Sequence, residues 1–98
     1  MGKVYRIIAK VEELRNASGK GPCPLYQLGQ EFDLSKPEEK EKICEWAYHS
    51  LFPFYTMLKY DGTIPWEPDP NKALIACPDP HNVVVFELRR EGELEGNE

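Results

Sequence analysis

Three cysteines, Cys23, Cys44 and Cys77, are the side chains most able to do chemistry in this 98-residue chain. With His81 they make a Cys3His set, which suits tetrahedral zinc, and thiolates also hold iron–sulfur clusters. Cys23 and Cys77 each precede a proline, which biases a cysteine to extended backbone and so restricts where its sulfur points. Against a metal, the chain has no Cys-x-x-Cys pair, and Cys77-x-x-x-His81 is its one tight ligand spacing. The plainer expectation is packing, because free cysteine behaves as a small, readily buried hydrophobe. Cys44 falls on an apolar stripe beside Ala47 and Tyr48, and Cys77 ends an apolar run. Cys23, between Pro22 and Pro24, is the first candidate for an exposed thiol. A nucleophilic or redox thiol would need an electropositive setting and a base. Lys20 is the main cation near Cys23, and His49 and His81 are the only histidines.

A second group is aromatic: Trp46, Tyr48, Phe52, Phe54, Tyr55, Tyr60 and Trp66 crowd a short span. At helical spacing most of these belong to a core. Trp46 falls near the charged edge of the predicted helix and Trp66 lies among prolines. These two are candidate anchors for a protein partner, since Trp is favoured at interfaces. The alternative reading of Trp66, which the sequence favours, is a clamp holding its own loop on the core.

The elements that position these residues follow from periodicity. Tyr5, Ile7, Ala9 and Val11 alternate with polar neighbours as a half-buried strand, and Phe32 and Leu34 flank Asp33 in a short second one. Ser35-Lys36-Pro37-Glu38 reads as a capping box. It opens a helix whose stripe is Ile43, Cys44, Ala47, Tyr48 and Leu51. Pro53 ends or kinks that helix, with a further turn or two over Phe54–Leu58, and Gly62 is expected to take the left-handed conformation at the stop. Ala73–Ala76 and Val84–Leu88 are strands joined across Pro78–Asn82, a hairpin-length connection. The order β-β-α-β-β predicts an α+β domain: a mostly antiparallel sheet of about four strands against one main helix and a short second helix. The domain is expected over residues 1–90. Residues 91–98, with four carboxylates, read as an acidic, frayed tail.

The landmarks resemble those of a small uncharacterised family of bacterial and archaeal domains, sometimes found in tandem copies. The residues that carry the likeness are Gly21, Cys23 and Pro24; Gly29 and Phe32; Cys44, Trp46 and Ala47; Pro65 and Trp66; Cys77 and Asp79; and Val84 and Phe86. The resemblance covers nearly the whole chain and implies a common fold, with no reaction to carry over. Relatives place a Pro-Glu-Gly-like turn ahead of the Cys-x-Trp element. Here Glu41-Lys42-Ile43 stands there after a longer charged run, which is expected to extend the helix upstream and put Cys44 inside it.

Composition narrows the partners. A net charge of −5 disfavours nucleic acid, whose phosphates need clustered Lys and Arg. No apolar run approaches the ~18 residues that suggest a bilayer span. No export signal precedes the first strand, and the odd cysteine count disfavours a disulfide framework, so a reducing cytoplasm is expected. No phosphate-loop, dinucleotide, zincin, serine-hydrolase or calcium-loop motif occurs. The first expectation is therefore a non-enzymatic accessory or interaction domain, binding a protein partner or self-associating through a Cys- and Trp-lined face. A zinc or iron–sulfur centre, or a thiol-redox protein, is the alternative.

Overall fold

β1 (Tyr5–Leu14) carries the alternation of a strand with one face covered: Ile7, Ala9 and Val11 are buried, and the residues between them are not. The computed structural model describes residues 3–15 and 25–94. Along them follow β2 (Glu31–Asp33), α1 (Pro37–Lys40), α2 (Glu45–Lys59), β3 (Lys72–Ala76) and β4 (Val84–Glu93). The strands form one antiparallel sheet in the order β2-β1-β4-β3, with α2 packed across a single face. The α+β architecture expected from the pattern is the one observed.

The core lies between that sheet face and α2. Ile7, Leu34, Leu51, Leu58, Phe86 and Leu88 are fully buried within it. At ~1.5–3 kcal/mol for each large apolar side chain removed from water, this layer is the dominant favourable term in folding. The opposite face stays open. Its residues pair in salt bridges, Arg6 with Asp33, Lys72 with Glu87 and Arg89 with Glu31 across strands, and Arg89 with Glu87 along β4.

Local expectations are corrected where tertiary contacts compete with helix propensity. The charged run does not extend one helix. It forms α1, and the chain then breaks through Glu41–Ile43, so Cys44 stands at the N-cap of α2 instead of within a helix. The competitor is the Tyr26 hydroxyl, which accepts the Cys44 amide at 2.8 Å, while the Ile43 amide donates to Lys40 over a tighter span. Ser35 caps nothing: Lys36 stands at the N-cap of α1, and the Ser35 hydroxyl and amide both donate to Asp33 Oδ1, at 2.6 and 3.0 Å, which turns the side chain back toward β2. Pro53 does not end α2. It sits on the solvent side, where the carbonyl it leaves unpartnered can turn to water.

The stop is a Schellman turn. Gly62 N–H donates to Met57 O at 2.7 Å and Asp61 N–H to Leu58 O at 3.4 Å. Asp61, not Gly62, takes the left-handed conformation, with φ 70. The glycine is needed because a Cβ there would lie 2.9 Å from the Met57 carbonyl oxygen. Residues 91–93, expected in the acidic tail, belong to the sheet, and residues 95–98 lie outside the described residues. β4 runs to Glu93, opposite Tyr5, and Leu94 N–H donates to Val4 O, since ladder bonds depend on backbone and not on side-chain charge.

Candidate functional site

α1 and the first half of α2 enclose an open groove of about 990 Å³. Its apolar walls are Pro37, Ile43, Tyr48, Phe52 and Pro53. Ile43 is buried and anchors the break between the helices to the core. Tyr48 and Phe52 lie one turn apart on the flank of α2, with ring centroids 5.8 Å apart and tilted. Burial raises the Tyr48 phenol above its ordinary pKa, with Tyr55 adding to the effect and Lys59 opposing it, so the hydroxyl is a neutral donor and acceptor at physiological pH.

The charged lining is unevenly engaged. Lys40 lies over the Tyr55 ring at 5.7 Å, a cation–π contact that occupies it locally. Glu41 and Glu45 also line the groove, are exposed, and make no ion pair among the described residues. His49 completes the lining. The groove thus combines an apolar floor with carboxylates free to meet a cation.

Both tryptophans remain at the surface. Trp46, in the first turn of α2, is 52% exposed, and Trp66 is 67% exposed. Trp66 touches Phe54 edge-on at 6.0 Å, on the flank of α2 away from Tyr48 and Phe52. Its contact with Phe54 is of the kind expected of a clamp for its own loop, although the ring stays largely exposed. The buried clamp is Arg90, whose side chain is only 5% exposed. Its guanidinium donates to the carbonyls of Leu58 (3.1 Å), Gly62 (2.9 Å) and Pro70 (2.7 Å) and to Asn71 Oδ1 (3.2 Å), and it stacks over Tyr5 at 5.1 Å. No spacing rule marks Arg90, because its partners are mostly backbone carbonyls that distant loops bring to it. Tyr48 and Phe52, by contrast, stood in the aromatic run, but that run could not show that Pro37 and Ile43 would close a groove beside them.

The cysteine set is only partly in view. Cys23 lies outside the described residues. Cys44 and Cys77 are half-buried and pack against the core. Cys77 Sγ accepts the Val84 amide at 3.2 Å across the base of the β3–β4 hairpin. His81 is exposed in that hairpin connection, and its amide donates to Asp79 Oδ1 at 2.9 Å. Among the described residues no group of three or more His, Cys, Asp or Glu side chains is placed to hold a metal ion. No helix among them is long and apolar enough to cross a membrane.

The chain matches no protein-family model, no curated protein and no solved structure.

Proposed function

We propose that this protein is a cytoplasmic, non-enzymatic interaction module of the small bacterial and archaeal family it resembles. Its occupant is a segment of a partner protein that inserts an apolar side chain into the α1–α2 groove and flanks it with Lys or Arg. The observation that carries this reading is the concentration of exposed apolar surface on α2 and the loop after it: Trp46, Phe52, Met57, Tyr60 and Trp66 are all left in solvent. Of these, Phe52 lines the groove itself, and large apolar side chains concentrated on one helix and its following loop mark contact sites more often than scattered single residues do. Charge selects the partner: Glu41 and Glu45 are uncommitted beside the groove, and the chain carries −5 overall. A basic segment is therefore attracted over distance and oriented on arrival. Trp46 extends the apolar contact one turn from His49 along α2, and Trp66 offers a second aromatic anchor on the other flank.

The test is selection of displayed random peptides on the purified protein. Enriched sequences are expected to pair an aromatic or aliphatic anchor with adjacent Lys or Arg. Phe52→Ser and Glu45→Lys should each weaken a selected peptide about tenfold, ~1.4 kcal/mol, without loss of the folded CD spectrum. Leu74→Ser, on the sheet face opposite α2, should leave binding unchanged. Enrichment without a basic bias, binding indifferent to Phe52→Ser, or a dimer formed through Phe52 would each refute this assignment.

A further inference from the structure

Each edge strand of the sheet has an outward amide closed by a glutamate from outside the sheet. On β3 the Cys77 amide donates to Val84 O, so by antiparallel alternation Ile75 and Ala73 also face β4, while Lys72, Leu74 and Ala76 turn their amides away from the sheet. The Leu74 amide donates to Glu67 Oε2 at 3.2 Å, and the Lys72 amide to Asp69 O at 3.2 Å. On β2 the Leu34 amide donates to Ile7 O, which leaves Asp33 facing outward. Its amide donates to Glu39 Oε1 of α1 at 2.8 Å. An open edge is a template for another strand, and covering it is how a sheet avoids pairing with other chains.

The two edges differ in what a second copy would meet. Antiparallel pairing of β2 with itself would bring Glu31 and Asp33 against the same carboxylates, which repel. Pairing of β3 with itself about Leu74 would set Leu74 on Leu74 and Lys72 on Ala76, with no like charges opposed. Leu74 is 55% exposed and supplies the apolar contact such a pair needs. The outward Ala76 amide has no acceptor among the described residues, so the edge is closed at its middle and left open at its end. We propose that Glu67 is a lock on the β3 edge, and that its carboxylate keeps the protein monomeric by preventing two copies from joining β3 to β3.

Sedimentation velocity over a concentration series tests this. The unaltered protein and Glu67→Gln, whose amide oxygen accepts the same N–H, should remain monomers. Glu67→Ala should dimerise, with affinity raised at least about tenfold. Adding Leu74→Pro to Glu67→Ala should restore the monomer, because proline is tolerated where an edge N–H faces outward and it removes the donor two copies would share. Glu67→Ala remaining monomeric throughout, or its dimer surviving Leu74→Pro, overturns the proposal. So does an unaltered protein that already dimerises through β3. Amide hydrogen exchange on the unaltered protein keeps the test independent of how the variants fold. The Leu74 amide should exchange more slowly than that of Ala76, and equal rates would refute the lock.

Discussion

Replacing Arg90 with Met keeps an aliphatic side chain of similar length and removes the guanidinium, together with its stacking on Tyr5. Of its four hydrogen bonds, those to Asn71 and Pro70 lie toward solvent, and water can replace them. Those to the Leu58 and Gly62 carbonyls are part-buried. Counting only these two, at ~1.5 kcal/mol for each bond to a charged donor, the loss is about 3 kcal/mol. The ion pair with Asp61, 3.6 Å away and half exposed, adds little. A domain of this size has roughly 5–15 kcal/mol in hand, so Arg90→Met should fold but be visibly weakened. Urea unfolding followed by Trp fluorescence and far-UV CD should show the midpoint falling with little change in slope, and Tm should drop by roughly 12–24 °C. Arg90→Lys should recover only part of the loss, because one ammonium cannot span three divergent carbonyls as the planar fork does. A cost below about 1 kcal/mol for Arg90→Met would show that the loop after α2 is held by other contacts and that the clamp was misassigned.

Gly62→Ala should cost about 1 kcal/mol or more in the same urea experiment, since its Cβ would lie 2.9 Å from the Met57 carbonyl oxygen and the backbone cannot retreat without losing the Schellman bond. A neutral or stabilising effect would contradict the close approach. For the cysteines, an interaction module should purify without stoichiometric metal and keep its Tm in a chelator, with Cys44 and Cys77 reacting slowly with a thiol reagent until unfolding exposes them. Metal near one equivalent, lost together with stability on chelation, would instead assign Cys23, Cys44, Cys77 and His81 to a metal centre.

The fold was largely legible because burial follows period. Ile7, Ala9 and Val11 alternate, and Ala47, Leu51, Tyr55 and Leu58 recur at helical spacing, so strand and helix could be read without coordinates. What misled was local chemistry with a distant competitor. Ser35 and Glu38 have the spacing of a capping box, yet Asp33 claims the Ser35 hydroxyl and Glu39 closes the β2 edge. The upstream helix run is compatible with propensity, yet the Tyr26 hydroxyl takes the Cys44 amide and α2 starts afresh there. The candidate groove fell between these cases. Its aromatic wall was visible, and its opposite wall arises only where the chain breaks at Ile43.

Sequence alone determined the α+β class, the strands and the core residues that lie on periodic segments, because burying an apolar face constrains every second or every third to fourth side chain; Tyr26 and Ile64, buried from irregular segments, follow no such period. Tertiary structure alone decided which polar groups meet: Arg90 with the carbonyls of the loop after α2, Glu67 with Leu74, Tyr26 with Cys44. The reason is that an apolar face needs only somewhere dry to go. A hydrogen bond needs one partner at one distance, and distant segments supply that partner only once the sheet and helix have brought them together.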